Sequence, residues 1–260
     1  MIKSKLDKYW KLYEKVDFIK DDPISFPHRF IENEDIITAG FIAAVIAQGR
    51  RTAIMKNLNI LFGIIGSTPA NYIENFDYKT EKERLLPFLH FAYRNITEKE
   101  ITPFFYFLSQ IMRTYGNLYN FFKLCYVENN PVETLHNIMD TLHKCSLPKG
   151  YEFSPALKMM LAHPANGSSC KRINMFLRWM VRKSEVDFGI FDFYNKSDLL
   201  IPLDTHVARI SRELGLTSRK QNDMKTAVEI TESLKKIDES DPIKYDFALF
   251  GYGINKGEDL

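Results

Sequence analysis

Cysteine is scarce in this chain of 260 residues, which contains only Cys125, Cys145 and Cys170. Three scattered thiols, an odd number, do not make a disulfide framework and are typical of a reducing compartment, so we expect a cytoplasmic protein. Three cysteines are also too few for a four-cysteine iron–sulfur cluster. We therefore expect no cofactor and no bound metal.

Long apolar runs are missing too. No stretch approaches the length of a transmembrane helix, and residues 1–20 are charged and amphipathic, without the apolar centre of a signal peptide. The sequence also lacks strand-like alternation, internal repeats and low-complexity linkers. These patterns predict a soluble all-α protein with no membrane partner.

Neither sign of charge dominates the composition. The chain has 35 lysines and arginines against 33 acidic residues, a net charge of +2, so composition alone does not indicate a nucleic-acid partner. Local charge is more informative, because residues 171–183 include five basic side chains and no acidic one.

The chain is rich in signals that begin helices. Thr97-Glu-Lys-Glu100 is a capping box, and Asn130-Pro131 and Asn222-Asp223 are typical helix starts. Asp35 is expected to begin a helix that runs to Gln48 and is apolar almost throughout, which predicts a buried position. With 45% hydrophobic residues, the chain can build a substantial core.

A hairpin between two helices is predicted around Gly167. Pro164 disfavours continuation of the preceding helix, and Gly167 can adopt a backbone conformation that other residues avoid. Ser168 or Ser169 can then cap the helix that follows. Such a hairpin directs backbone N–H groups to one side, beside the positive end of a helix dipole, where a phosphate can bind.

The helix after the hairpin is predicted to have two different faces. The first is apolar and faces the core, whereas the second is basic and is expected to hold a nucleic-acid backbone. The apolar face contains Ile173, Phe176, Leu177 and Met180, and the basic face contains Lys171, Asn174, Arg178 and Arg182. An ordinary solvated face is the alternative interpretation of the basic residues.

Asp204 precedes another apolar stripe, made by Val207, Ile210 and Leu214, and Gly215 ends the predicted helix. Its ordinary role would be to cap that helix. A lysine at the hairpin together with a carboxylate at a helix start also allows a chemical role for both side chains.

The residues around Asp204 resemble a known motif. Pro202-Leu-Asp-Thr-His-Val-Ala-Arg209 resembles the Val-Asp-Thr-His-Val-x-Arg segment of the helix-hairpin-helix DNA glycosylases, the superfamily of endonuclease III. Lys171-Arg-Ile-Asn-Met-Phe-Leu177 is similar to the Lys-Thr-Ala-Asn-Val-Val-Leu that follows the hairpin in that superfamily. The whole chain resembles an uncharacterised bacterial family within it, with a lysine–aspartate spacing similar to that of the archaeal oxidised-guanine glycosylases. Pro164-Ala-Asn-Gly-Ser-Ser169 replaces the usual Leu-Pro-Gly-Val-Gly.

The resemblance implies base-excision repair, with roles for individual residues. Lys171 would be the nucleophile that forms a Schiff base, and Asp204 would stabilise positive charge on the sugar. The implied DNA-binding residues are Gln48, Arg50, Arg51, Asn166, Gly167, Ser168, Ser169, Arg172 and Arg178. Candidates for the pocket of an everted base are Trp179, Phe188 and Asp246. Core packing is the alternative for the aromatic residues, and a polar helix end is the alternative for Gln48.

The implied architecture is the two-lobed helix-hairpin-helix glycosylase fold. Residues 35–150 would form a central helical lobe, and residues 151–260 would form a second lobe, packed with the N-terminal segment 1–34. The expected partner is double-stranded DNA with a damaged base, bound in the cleft between the lobes of a monomer. Two alternatives stay open: a non-catalytic helix-hairpin-helix module that binds nucleic acid, and a helical interaction scaffold.

Overall fold

A computed structural model describes residues 2–89 and 96–254 of the chain, and these residues are largely helical. The α-helices are α1 (Ile2–Tyr13), α2 (Asn33–Ile46), α3 (Arg51–Ile65), α4 (Pro69–Glu74), α5 (Tyr78–Leu89), α6 (Glu98–Tyr115), α7 (Leu118–Cys125), α8 (Pro131–Lys144), α9 (Pro155–Met160), α10 (Lys171–Val181), α11 (Thr205–Glu213), α12 (Met224–Lys235) and α13 (Asp246–Ile254). Short 3₁₀ helices cover Val16–Ile19, Pro23–Ser25, Pro27–Arg29, Pro164–Asn166, Lys196–Asp198 and Pro242–Tyr245.

The prediction of an all-α protein is confirmed. No β-strand occurs in the described residues, where Lys183 and Phe188 form an isolated antiparallel bridge. In the same part of the chain, no helix combines the length and the apolar character needed to cross a membrane.

The chain divides into two units. The hairpin unit comprises Met1–Lys20, Val127–Leu135 and His163–Leu260, and the central unit comprises Asp21–Tyr126 and His136–Ala162. These boundaries differ from the expected ones, because residues 21–34 and 151–162 belong to the central unit and residues 127–135 belong to the hairpin unit.

Specific contacts explain the observed boundaries. The 3₁₀ helices at Pro23–Ser25 and Pro27–Arg29 pack against α2, and α9 packs against α6, so both segments are part of the central unit. The Asn129 N–H donates to the Asp198 carboxylate at 3.0 Å, which fastens the start of α8 to the hairpin unit.

The apolar helix α2 lies at the core of the central unit, as predicted. All of its residues from Asp35 to Ile46 are buried, and it packs against α4 and α7. The helix begins two residues earlier than expected, at Asn33, and the Asp35 carboxylate accepts a hydrogen bond from the Ala70 N–H of α4 at 2.9 Å. The predicted capping box of Thr97 and Glu100 is confirmed at the start of α6.

In the hairpin unit, α13 packs closely against α1 and α11. Two glycines make this approach possible. A side chain on Gly251 would overlap the Tyr13 ring of α1, and one on Gly253 would overlap the His206 ring of α11.

Candidate active site

The hairpin, residues His163–Cys170, leads directly into α10. Its 3₁₀ turn Pro164–Asn166 ends at Gly167, which has the predicted left-handed conformation with φ of +76°. Cys170 is also left-handed, with φ of +49°, although it is not a glycine. The Gly167 carbonyl accepts a hydrogen bond from the Met224 N–H at 3.2 Å, so the start of α12 supports the turn.

Neither hairpin serine caps α10, and that prediction is wrong. The left-handed Cys170 occupies the capping position, and its own N–H donates to Ser168 Oγ at 3.1 Å. The Ser169 hydroxyl donates instead to the Leu203 carbonyl at 3.1 Å. Since Leu203 immediately precedes Asp204, this bond fastens the hairpin to the segment that carries the candidate carboxylate.

The Asp204 carboxylate uses its two oxygens differently. Oδ1 caps α11 by accepting the N–H groups of His206 at 2.9 Å and Val207 at 2.8 Å, which confirms the predicted cap. Oδ2 lies 2.9 Å from Nζ of Lys171, the first residue of α10. We call Lys171 and Asp204 the site pair. Their side chains are 39% and 27% exposed, so a ligand can reach both.

Asp204 is held as a carboxylate. Burial alone would raise its pKa, but the Lys171 charge and the N–H groups of Val207 and His206 outweigh burial and lower the pKa. A group with a lowered pKa is ionised at neutral pH. The site pair therefore offers a fixed negative charge with an amine in contact.

The predicted DNA contacts in the hairpin and at the start of α10 differ in accessibility. Asn166 and Gly167 are exposed, Ser168 and Arg172 are half-buried, and Ser169 is buried, so Ser169 has little surface to offer to DNA. Burial lowers the pKa of Arg172 to about 10. Burial also raises the pKa of the Cys170 thiol to about 12, which favours a structural role for this cysteine over a reactive one.

The predicted contacts Gln48, Arg50 and Arg51 belong to the central unit, at and before the start of α3. Gln48 is half-buried, and its Nε2 lies 3.3 Å from the sulfur of Met159. Arg50 is exposed, and Arg51 lies 3.8 Å from the Asp22 carboxylate.

The predicted basic face of α10 is wrong beyond its first residue. Asn174, Arg178 and Arg182 are all buried, with side chains that have no surface to offer to a nucleic-acid backbone. Arg178 pairs with Asp246 and Asp187, and Arg182 pairs with Glu14, Asp187 and Asp241. Four carboxylates, three of them distant in sequence, thus convert this face into a buried ionic network. Arg178 is therefore removed from the candidate DNA contacts.

The candidates for a base pocket are not equivalent. Trp179 is fully buried, so its ring has no face available for stacking on a base, and this assignment is corrected to core packing. Phe188 is half-buried, and its N–H donates to the Trp179 carbonyl at 2.8 Å. Asp246 is buried against Arg178 and offers a base little surface.

Three acids of the buried network, Glu14, Asp187 and Asp241, were missed by sequence reasoning. Asp187 stands between the apolar residues Val186 and Phe188, a pattern that can indicate a buried charge. Asp241 precedes Pro242, a pattern that indicates only a helix start, and Glu14 carries no local signal at all. Among the described residues, no group of three or more His, Cys, Asp or Glu side chains is arranged to hold a metal ion.

Comparison with protein families gives one assignment. A family described as a protein of unknown function (DUF2400) matches residues 22–255, which is most of the chain. Comparisons with curated proteins and with solved structures gave no match.

Proposed function

The chain belongs to the DUF2400 family, and from that premise we propose that it is a DNA N-glycosylase that also cleaves abasic sites. The observation that carries the proposal is the site pair: an accessible lysine amine lies 2.9 Å from a carboxylate fixed at a helix start. The resemblance of both segments to the helix-hairpin-helix glycosylases supports the same conclusion.

Asp204 has the properties that cleavage of an N-glycosidic bond requires. Positive charge builds on the sugar as the base departs, and a nearby carboxylate stabilises that state more than it stabilises the substrate. The two N–H bonds to Oδ1 prevent the carboxylate from rotating, while Oδ2 stays on the side of Lys171. A preorganised charge of this kind needs little rearrangement during the reaction.

Lys171 would act as the nucleophile. After the amine loses its extra proton, it attacks C1′ of the everted nucleotide, and the bond from C1′ to the base breaks as the base leaves with the bonding electrons and takes up a proton. The C1′–O4′ bond then opens to give a Schiff base between C1′ and Nζ. Loss of a C2′ proton expels the 3′ phosphate by β-elimination, which nicks the strand. Asp204 Oδ2 is the hydrogen-bond acceptor in direct contact with Nζ.

The proposed partner is double-stranded DNA that carries a damaged base. The exposed hairpin residues Asn166 and Gly167 would contact the backbone, with Ser168 and Arg172 beside them. Contacts to phosphates release counterions, so binding should weaken steeply as salt concentration rises. We propose the same backbone role for Arg50 and Arg51 of the central unit, and a place in the duplex for Gln48.

Borohydride trapping tests this function. The purified chain is incubated with duplexes containing an abasic site, oxidised guanine or an oxidised pyrimidine, in parallel with Lys171→Ala and Asp204→Asn. Lys183→Ala is the matched control, because Lys183 is an exposed lysine of the same unit. We expect a covalent adduct that persists in Lys183→Ala and disappears in Lys171→Ala.

Other results would replace the proposal. Base release that requires Asp204, without any adduct, would indicate a glycosylase without lyase activity. Salt-sensitive binding with neither adduct nor base release on any duplex would indicate the non-catalytic helix-hairpin-helix module. The absence of nucleic-acid binding would favour the interaction scaffold.

A further inference from the structure

A second ion pair lies behind the site pair on the same helix. Arg178 is seven residues, or about two helical turns, after Lys171, so both side chains project from one side of α10. Lys171 pairs with Asp204 at the start of α11, and Arg178 pairs with Asp246, the first residue of α13. We call Arg178 and Asp246 the inner pair. It is almost fully buried, in contrast to the accessible site pair.

The helices that carry Asp204 and Asp246 are in direct contact. Phe250 and Gly253 of α13 both meet the ring of His206, two residues after Asp204; the ring centroids of Phe250 and His206 are 5.9 Å apart. Asp246, Phe250 and Gly253 follow helical spacing, so one face of α13 lies along the start of α11. α13 therefore connects the inner pair to the segment that holds Asp204.

Asp246 is surrounded by charged groups from several elements. Lys171 and Arg178 act on it from α10, and Asp204 acts on it from the start of α11. Further charged groups in contact with this network or with the neighbouring residue Tyr245 are Asp187, Arg182, Asp241, Glu14, Asp7 and Lys244. Burial raises the pKa of Asp246 and Asp204 raises it further, while the charges of Arg178 and Lys171 oppose both effects.

We propose that Asp246 is a positioning residue for the site pair: bound to Arg178, it fixes α10 to α13, which packs against the start of α11. The catalytic meaning of this inference rests on the proposed function, but the coupling of the two pairs through these helices does not. Weakening of the Arg178–Asp246 contact should therefore be detectable at the Lys171 amine even without turnover.

The test compares two carboxylates of the same network. Asp246→Asn removes the carboxylate charge from the inner pair and keeps an acceptor for Arg178. Asp241→Asn is the control, because Asp241 binds a different arginine, Arg182. Arg182 lies four residues after Arg178. Lysines of the full-length chain are labelled by reductive ¹³C-methylation, and the Lys171 resonance is assigned by its loss in Lys171→Ala. Its chemical shift is compared between variants by NMR. Single-turnover strand cleavage is measured with unlabelled protein on the duplex that the wild-type chain cleaves, because a dimethylated Lys171 could not form the Schiff base.

We expect the Lys171 resonance of Asp246→Asn to move away from its wild-type chemical shift, because the weakened inner pair no longer fixes the helices that hold the site pair. Cleavage should fall by about tenfold to a hundredfold as the geometry loosens. In Asp241→Asn the resonance should keep its wild-type position, even if thermal stability falls equally. An unchanged Lys171 chemical shift in Asp246→Asn would overturn the proposal.

A second variant tests the proposal if Asp246→Asn does not fold. Arg178→Met combined with Asp246→Leu removes both charges at similar volume, a replacement that buried pairs often tolerate. The proposal then requires slower cleavage by a folded protein, and a wild-type rate would refute it. If the Lys171 resonance shifts in Asp246→Asn but the wild-type chain forms no adduct, the glycosylase proposal is rejected and the coupling is retained. If the wild-type chain forms an adduct but the resonance does not shift, the coupling is rejected and the glycosylase proposal is retained.

Discussion

The two ends of α10 carry similar cations in opposite surroundings. At its start, Lys171 is 39% exposed and touches one carboxylate. Near its end, the Arg182 side chain is 2% exposed and touches three carboxylates, those of Glu14, Asp187 and Asp241. The first end remains open to a ligand, whereas the second binds Glu14, just after α1, and two acids in loops.

This difference shows that a basic stripe on a helix does not define a surface by itself. The position of the acids decides whether a cation stays at the surface or becomes part of the interior. A buried arginine without its acids would be strongly destabilising, since no attraction to a carboxylate would offset the free energy of removing the charge from water. The start of α10, by contrast, should tolerate change with little loss of stability.

The largest effect is expected where the buried end is broken. Arg182→Met should lower the free energy of unfolding by about 3–5 kcal/mol, because it leaves buried carboxylates without their partner. Urea unfolding would measure this loss, with Arg209→Met of the exposed Arg209–Glu213 pair as the control. A loss below about 1 kcal/mol would show that the buried network is not structural.

An ion pair outside α10 should stabilise the fold to an extent that depends on pH. Asp238, bonded to Ser240 and Lys244, has its pKa lowered to about 2: burial would raise it, and these bonds overcome burial. A carboxyl whose pKa is lowered in the folded state stabilises above its ordinary value of 3.8, and the contribution disappears as pH falls toward 2.

Removing Asp238 should therefore have a pH-dependent cost. Asp238→Asn is expected to cost on the order of 2 kcal/mol at pH 6 and much less near pH 2. Urea unfolding at both values checks this, and an equal cost at both would assign the stabilisation to packing.

Two substitutions, with a smaller effect on stability, separate the capping role of Asp204 from its proposed catalytic role. Asp204→Ala removes the cap of α11 and should cost about 1 kcal/mol, whereas Asp204→Asn keeps an oxygen that can cap and should cost only a few tenths. Both variants should lack base release, because neither carries the charge. Thermal unfolding and a cleavage assay in parallel would show this, and an active Asp204→Asn would reduce Asp204 to a cap.

The smallest effect on stability is expected at the open end of α10. Lys171→Met should change the free energy of unfolding by less than about 1 kcal/mol, since accessible ion pairs contribute little. The same variant should lose all adduct formation in borohydride trapping. If Lys171→Met instead lost as much unfolding free energy as Arg182→Met, the two ends of α10 would contribute equally to stability.

Local features of the fold could be predicted from the sequence. The caps at Thr97, Asp204 and Asp223 are confirmed, because a cap depends on residues within one turn of each other. The buried helix α2 is likewise confirmed, since an apolar sequence on all sides leaves few other positions.

Features that depend on distant residues could not be predicted in this way. The basic face of α10 is wrong because Glu14 and Asp246 come from opposite ends of the chain. The capping role of the hairpin serines is wrong because nothing local to Cys170 signals a left-handed conformation. The grouping of Lys171 with Asp204 was suggested by resemblance, and spacing alone would not have given it.

The bond from Ser169 to the Leu203 carbonyl has a consequence for dynamics. Together with the bond from the Met224 N–H to the Gly167 carbonyl, it links the hairpin to the starts of α11 and α12. Segments linked in this way open and close together. The amides of His206, Val207 and Met224 should therefore exchange with deuterium at a common rate, and Ser169→Ala should accelerate the first two most.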